Sequence, residues 1–146
     1  FFEMEIKEHN ICLIYSQASK PCYIMGNEFG LTQVFINLIK NSIYAMENNG
    51  AIVITLKEGI NNELEICIKD TGNGMNDEQL KNLFVPYYTT KEKGTGLGLP
   101  IVKKLIEDMN GRITVRSKLG EGTEVCIFLK LAESCDCNFT NCANSC

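Results

Sequence analysis

No stretch of this sequence holds the roughly 18 consecutive apolar residues that a membrane-spanning helix needs, and no signal peptide opens it. Positive charge is not in excess: 14 Lys and Arg against 18 Asp and Glu leave a net charge of −4. That balance excludes a general nucleic-acid binder, whose surface would be basic, but not a polyanionic small ligand held by a few local lysines. Histidine is nearly absent, and His9 stands alone. The eight cysteines include none of the paired C-x₂-C knuckles of zinc modules.

What is present is an ordinary globular composition, 45% hydrophobic and 22% charged, in 146 residues, enough for one domain with a real core. The sequence begins at Phe1, directly inside a patterned segment, so the expectation is a piece of a longer protein. Cys12, Cys67 and Cys126 fall in strand-like segments and Cys22 just before one, so all four read as small hydrophobes. Cys135, Cys137, Cys142 and Cys146 crowd the end of the chain. Residues 132–146 read as a disordered tail, with metal or disulfide chemistry as the alternative, and residues 1–131 as the domain. Asn138-Phe-Thr140 matches a glycosylation sequon, which has no meaning without secretion.

Short strands are expected at 11–16 and 23–25, around a Lys20-Pro21 turn. Asn27 caps a helix running to about Asn48. Asn48-Asn49-Gly50 ends it, because Asn and Gly tolerate the left-handed backbone of a C-cap. Alternating runs at 51–57 and 63–70 predict an antiparallel hairpin; in the second, Leu64, Ile66 and Ile68 share one face and Glu65, Cys67 and Lys69 the other. Asn76 caps a short helix whose first turn carries Asp77 and Glu78. Residues 84–96 have little regular pattern, and a loop this long inside a domain is usually functional or disordered. A helix from about Leu97 to Met109 follows, with Pro100 in its first turn. Asn110-Gly111 closes it, and strands at 112–117 and 123–130 form a last hairpin. The helices are too few to cover both faces of a sheet. The fold class is therefore α+β, a two-layer α/β sandwich with one mixed, mostly antiparallel sheet and its helices on a single face.

The helix at 27–48 has two faces. Read at about 100° per residue, Val34, Phe35, Leu38, Ser42, Ala45 and Met46 form a core face, and Gln33, Asn37, Lys40, Asn41 and Tyr44 a polar stripe. Asn37 and Asn41 lie one turn apart with their amides side by side. Asparagine is a weak helix former, so two on one stripe suggest a ligand, and an amide carbonyl is a hard oxygen suited to Mg²⁺. A solvated polar face would look the same from this helix alone. Asp70-Thr-Gly-Asn-Gly-Met75 ends a strand. Gly72 and Gly74 permit a close backbone approach there, and Asp70 can accept a hydrogen bond from an exocyclic amine such as that of adenine. A plain strand-to-helix turn would use the same residue types. Gly94-Thr-Gly-Leu-Gly-Leu99 opens a helix, where exposed backbone amides suit a phosphate. It lacks the Gly-Lys-Ser/Thr ending of a P-loop and the preceding strand of a dinucleotide fingerprint. Gly120-Glu-Gly-Thr123 reads as a hairpin turn.

Together the pieces are specific. Asn37-x₃-Asn41, Asp70-x-Gly-x-Gly74, Phe84-x-Pro86 with Thr-Thr-Lys91, and Gly94-x-Gly-x-Gly98 occur in that order. The series resembles the N, G1, F and G2 boxes of the ATP-binding catalytic domain of two-component sensor histidine kinases, built on the Bergerat-type ATP-binding fold. The later Gly-Leu-Pro-Ile-Val-Lys-Lys-Leu-Ile-Glu and Ser-Lys-Leu-Gly-Glu-Gly-Thr runs are similar to the same family, and the resemblance covers residues 9–131. It implies ATP and Mg²⁺ as ligands. Asn41 would bind the Mg²⁺ that bridges the phosphates, with Asn37 supporting the same face. Asp70 would accept from the adenine amino group, Gly72 and Gly74 would shape that pocket, and Thr123 would reach adenine through water. Gly94, Gly96 and Gly98, with Thr95 and Leu97 between them, would form a hinged lid over the phosphates. Lys91 and Lys40 would supply positive charge, and Phe84 would anchor the lid. A solvated Lys91 and an ordinary core Phe84 are the alternatives.

Hydrolysing members of the superfamily resemble one another in carrying Glu one turn before the metal-binding Asn, as a general base. Here that place is Asn37, an amide that takes no proton at neutral pH. The expectation is a domain that holds ATP while another group supplies the nucleophile. A neutral imidazole suits, because it attacks without first losing a proton. His9 is followed by Asn10 and lies beside a strand, unlike the family's phosphoacceptor, so it reads as a structural or surface residue. The implied partners are a dimerisation and phosphoacceptor segment of the same parent kinase and, indirectly, a response regulator, with no nucleic acid and no membrane contact. The implied location is the cytosol, whether or not the parent is membrane-anchored. Asn27, where the family often has Asp, and Pro100, where it often has a small residue, are departures that touch none of these ligands. A free-standing ATPase and a non-catalytic nucleotide-binding module of the same superfamily are the alternative functions.

Overall fold

Period-two alternation builds five strands: β1 (Ile11–Ser16), β2 (Gly50–Glu58), β3 (Glu63–Asp70), β4 (Arg112–Lys118) and β5 (Gly122–Lys130). The computed structural model describes residues 2–16, 22–59, 61–89 and 94–132. Lys91, the Lys20-Pro21 turn and the cysteine-bearing residues after 132 lie outside the described residues. The strands form one sheet in the order β1-β2-β3-β5-β4. β1 pairs with β2 in parallel, and the other three pairings are antiparallel. A parallel neighbour needs a crossover, and the long helix α2 (Glu28–Ala45) supplies it. The remaining helices are α1 (Glu3–Glu8), α3 (Asp77–Lys81) and α4 (Gly98–Asp108). This is the expected α+β sandwich with a mixed, mostly antiparallel sheet.

The core lies between one face of the sheet and α2 with α4. Val34 and Leu38 from α2 and Val102 and Ile106 from α4 are buried against Ile52, Ile66, Ile127 and Leu129 from the strands. Each such side chain contributes about 1.5–3 kcal/mol through removal from water. Among the described residues, no helix is long and apolar enough to cross a membrane.

Local signals placed the caps well. Asn27 Oδ1 accepts from the Gly30 amide at 3.2 Å. Asn76 and Gln79 form a reciprocal capping box at the start of α3, with both hydrogen bonds at 2.9 Å. Several expectations are corrected. Residues 23–25 make only a single bridge, Ile24 to Leu131, rather than a strand. α2 stops at Ala45 rather than about Asn48, because Glu47 already takes a left-handed φ of 47°, as Asn49 does at 62°. Its core face includes Ile43 beside Ser42. α1, which no pattern announced, adds Phe2 and Ile6 to the edge of the core.

A further correction concerns the cysteines. Cys67 and Cys126 are not merely small hydrophobes: the β3–β5 register sets them directly opposite each other, and they form a disulfide. Their sequence separation of 59 hides that pairing from any local reading. Cys12 is exposed on the sheet rather than packed away. Cys22 is half-buried, and its thiol is pushed above its ordinary pKa by burial and by Glu58, whose Oε1 accepts from Sγ at 3.7 Å. His9 is structural, as expected: its Nδ1 lies 2.5 Å from the Glu47 carbonyl and ties α1 to the end of α2.

Candidate functional site

β3 ends on Asp70, a carboxylate only 4% exposed. Its Oδ1 accepts from the backbone amides of Gly72 and Thr123, each at 3.0 Å. One carboxylate oxygen therefore ties the loop after β3 to the beginning of β5. Ser117 of β4 completes the tie. Its hydroxyl accepts from the Met75 amide at 2.8 Å and lies 2.9 Å from the Gly122 carbonyl and 2.8 Å from Thr123 Oγ1. Gly74 lets the two loops meet: its φ is +64°, and a methyl group there would collide with the Lys118 carbonyl.

A second polar group faces this one from α2. Asn37 Nδ2 donates to the Gln33 carbonyl at 3.0 Å, which fixes the rotamer and turns Oδ1 toward α4. A methyl group at Gly98 would lie 3.3 Å from Asn37 Oδ1 and 3.9 Å from Asn41 Nδ2. The stripe of α2 and the first turn of α4 are thus in near contact. Leu97, the residue before α4, provides no side-chain cap for its first amides. Thr95 Oγ1 accepts from the Leu97 amide at 3.4 Å. Further back, the Tyr87 amide donates to the Gly96 carbonyl at 3.0 Å and holds the two ends of the loop together.

Between these groups lies a cavity of about 750 Å³, within the usual size range of small-ligand sites. Asn37, Lys40, Asn41, Asp70, Gly74, Gly94, Thr95, Gly96, Gly98 and Thr123 all line it. Gly72, Phe84 and Leu97 do not. Gly72 instead packs against Ala45, and Phe84 is half-buried under Lys103, whose Nζ lies 5.2 Å from the ring. Lys91 is outside the described residues.

Sequence reasoning missed the apolar part of the wall. Ile68 and Val125 form it from the sheet, with Met75, Leu83 and Val115 beside them. Ile68 was read only as part of one strand face, and the other four were assigned no place. Ser117 opens the Ser-Lys-Leu-Gly-Glu-Gly-Thr run that carried the resemblance, but the sequence reading gave it no role of its own. The arrangement suits one kind of ligand: a flat apolar body with an amine at the Asp70 end and an anion at the α4 end.

Residues 26–133 match the family of histidine kinase-, DNA gyrase B- and HSP90-like ATPases, and the chain belongs to it. Within that family it is a catalytic domain of the sensor histidine kinase kind. It is 44% identical over 110 residues to sporulation kinase C of Bacillus subtilis (strain 168), covering 75% of this chain and 26% of that protein. The catalytic domain of histidine kinase ThkA, in a nucleotide-free form, is similar with a TM-score of 0.79 and 30% identity, over 88% of this chain and 84% of that one. Full-length ShkA in complex with AMPPNP gives a TM-score of 0.81 at 26% identity, over 91% of this chain and 28% of that one. The chain spans about a quarter of the length of sporulation kinase C.

Proposed function

We propose that this domain binds Mg-ATP in the cavity and passes the γ-phosphoryl group to a histidine on the dimerisation and phosphoacceptor segment of a parent sensor kinase. The observation that carries the reading is Asp70, a buried carboxylate fixed by two backbone amides in the same cavity as Asn37, Asn41 and the start of α4.

The donor set fits both ligands. A fixed, buried carboxylate suits an adenine amino group, and the Ile68–Val125 wall suits the face of the ring. Amide oxygens of α2 are hard donors for Mg²⁺. At Gly98 the absent Cβ leaves the α2 amides open to the cavity, since a methyl group there would stand 3.3 Å from Asn37 Oδ1. Gly96, with a φ of +68°, instead lets the loop pack closely on the Tyr87 backbone. Bound Mg-ATP supplies the transferable phosphoryl group and the cation that offsets its charge.

The chain's own residues position and shield. Asp70 accepts from the adenine amino group and sets the register of the base, with Thr123 and Gly74 shaping its surroundings. Asn41 presents an amide oxygen to the cation, and Asn37 supports the same face. The uncapped amides of α4 and Lys40 meet the phosphate charge, and Lys91 adds to it. Asn37 takes no proton, so no base stands there to activate water, and transfer to an incoming neutral imidazole is favoured over hydrolysis. The phosphohistidine would in turn serve a response regulator, in the cytosol.

Mixing the domain with a matching phosphoacceptor segment and ATP should give acid-labile, alkali-stable phosphate on that segment. Acid-stable phosphoserine, or steady phosphate release by the domain alone, would overturn the reading.

A further inference from the structure

The sheet face turned away from α2 and α4 carries its own constellation. Thr55, Cys67, Cys126 and Thr114 are successive register partners across β2, β3, β5 and β4. Glu65 lies two residues before Cys67 on the same face, its Oε1 3.3 Å from Cys67 Sγ. The carboxylate and the two sulfurs lie within 4.8 Å of one another. They sit in a shallow hollow of about 220 Å³ that Lys57 and Arg116 also line. Cys126 is buried, whereas Cys67 and Glu65 are half-exposed, so the cluster has a wall and an opening. The larger cavity uses neighbouring residues of the same strands, Ile68 and Val125, on the opposite face. This cluster is separate from it.

We propose that, once its disulfide is reduced, the cluster binds a single thiophilic divalent cation of the Zn²⁺ class through Cys67 Sγ, Cys126 Sγ and the Glu65 carboxylate, with water as the fourth ligand. Three protein ligands and one open position make a familiar tetrahedral arrangement for such a cation. Backbone register, not side-chain choice, holds the two sulfurs together, so reduction leaves them facing each other. Two thiolates and a carboxylate exceed the cation's charge by one negative unit. In the rim Glu124 pairs with Arg116 at 4.0 Å, and Lys57 supplies the one positive unit that offsets the excess. An external dithiol gives the disulfide two electrons and two protons and leaves as its own disulfide, which frees two cysteine thiols. The cation displaces both thiol protons to solvent on binding. Disulfide and metal are thus mutually exclusive states of the same sulfurs.

The test uses the whole chain with Cys12, Cys22, Cys135, Cys137, Cys142 and Cys146 changed to Ser, reduced with a phosphine and titrated with Zn²⁺ and Co²⁺. One equivalent should bind, the Co²⁺ form should show thiolate charge-transfer and tetrahedral bands, and the oxidised protein should bind none. Glu65→Gln, an isosteric change on the open face, should weaken binding by more than about tenfold, since even outer-shell partners account for that much. Where the serine background fails to fold, the native chain answers instead: Zn²⁺ should slow alkylation of Cys67 and Cys126, read peptide by peptide. Absent stoichiometric binding, equal binding by the oxidised form, an octahedral Co²⁺ spectrum, or unprotected cysteines would each overturn the proposal.

Discussion

The carboxylate of Asp70 and the amides of Asn37 and Asn41 divide the cavity between them, and single substitutions should separate their parts. Asp70→Ala is expected to weaken ADP and ATP binding alike by about 1.5–3 kcal/mol, the range for a charge-assisted hydrogen bond, or roughly ten- to a hundredfold. Asn41→Ala should chiefly remove the Mg²⁺-dependent part. Calorimetry with and without Mg²⁺ distinguishes the two, and equal effects from both changes would refute the assignment. Gly74 belongs to the same scale for a different reason. Its φ of +64° and its approach to the Lys118 carbonyl leave no place for a side chain. Gly74→Ala should therefore lower the unfolding free energy by about 1–3 kcal/mol in a urea titration. Asp70 and the glycine-rich stretches could be picked out from residue type and spacing. The amide of Thr123 and the hydroxyl of Ser117 could not, because their partners lie 53 and 42 residues away.

At the scale of elements, α3 is the weakest helix that touches the cavity. It has five residues and no buried side chain, so its capping box carries an unusual share of its order. Asn76→Ala should cost about 1 kcal/mol locally and appear as faster hydrogen exchange at Leu80, whose amide bonds to the Asn76 carbonyl at 3.0 Å. Gln79 of α3 lines the cavity, so a modest loss of nucleotide affinity should accompany it. The two-faced pattern of α2 was legible because a 3.6-residue period is a local property. Its C-terminus was less so: Glu47 adopts the left-handed backbone although Asn48, Asn49 and Gly50 follow it. α1 shows the limit more plainly. Its six residues have no buried member, and it is held by Phe2, Ile6 and the His9 contact rather than by an apolar stripe.

For the whole molecule, the Cys67–Cys126 disulfide closes a loop of 59 residues that holds α3, the glycine-rich segment and α4. Chain-entropy reasoning gives such a closure about 4 kcal/mol as an upper figure. Reduction should therefore lower the midpoint of thermal unfolding, and calorimetry with and without a phosphine measures the shift. An unchanged midpoint would mean that the sheet alone holds the β3–β5 pairing. The core should be far less forgiving than the open face. It depends on Ile127 and Leu129, both fully buried, whereas the open face carries side chains that are largely in contact with water.

By itself the sequence determined what depends on neighbours a few residues apart: strand alternation, the helical stripe, both asparagine caps and the order of the glycine-bearing segments. These rest on backbone periods and local hydrogen bonds, which a linear chain displays directly. The ordered motifs, through their resemblance, grouped the asparagines, Asp70, the glycines and Thr123 at one site, but tertiary structure alone decided which atoms meet there. It set Thr123 against Asp70, brought Gly98 to Asn37 and Asn41, and placed Cys67 opposite Cys126. Such pairings follow from sheet register and helix packing, where many weak apolar contacts add up to one arrangement and no single residue announces it.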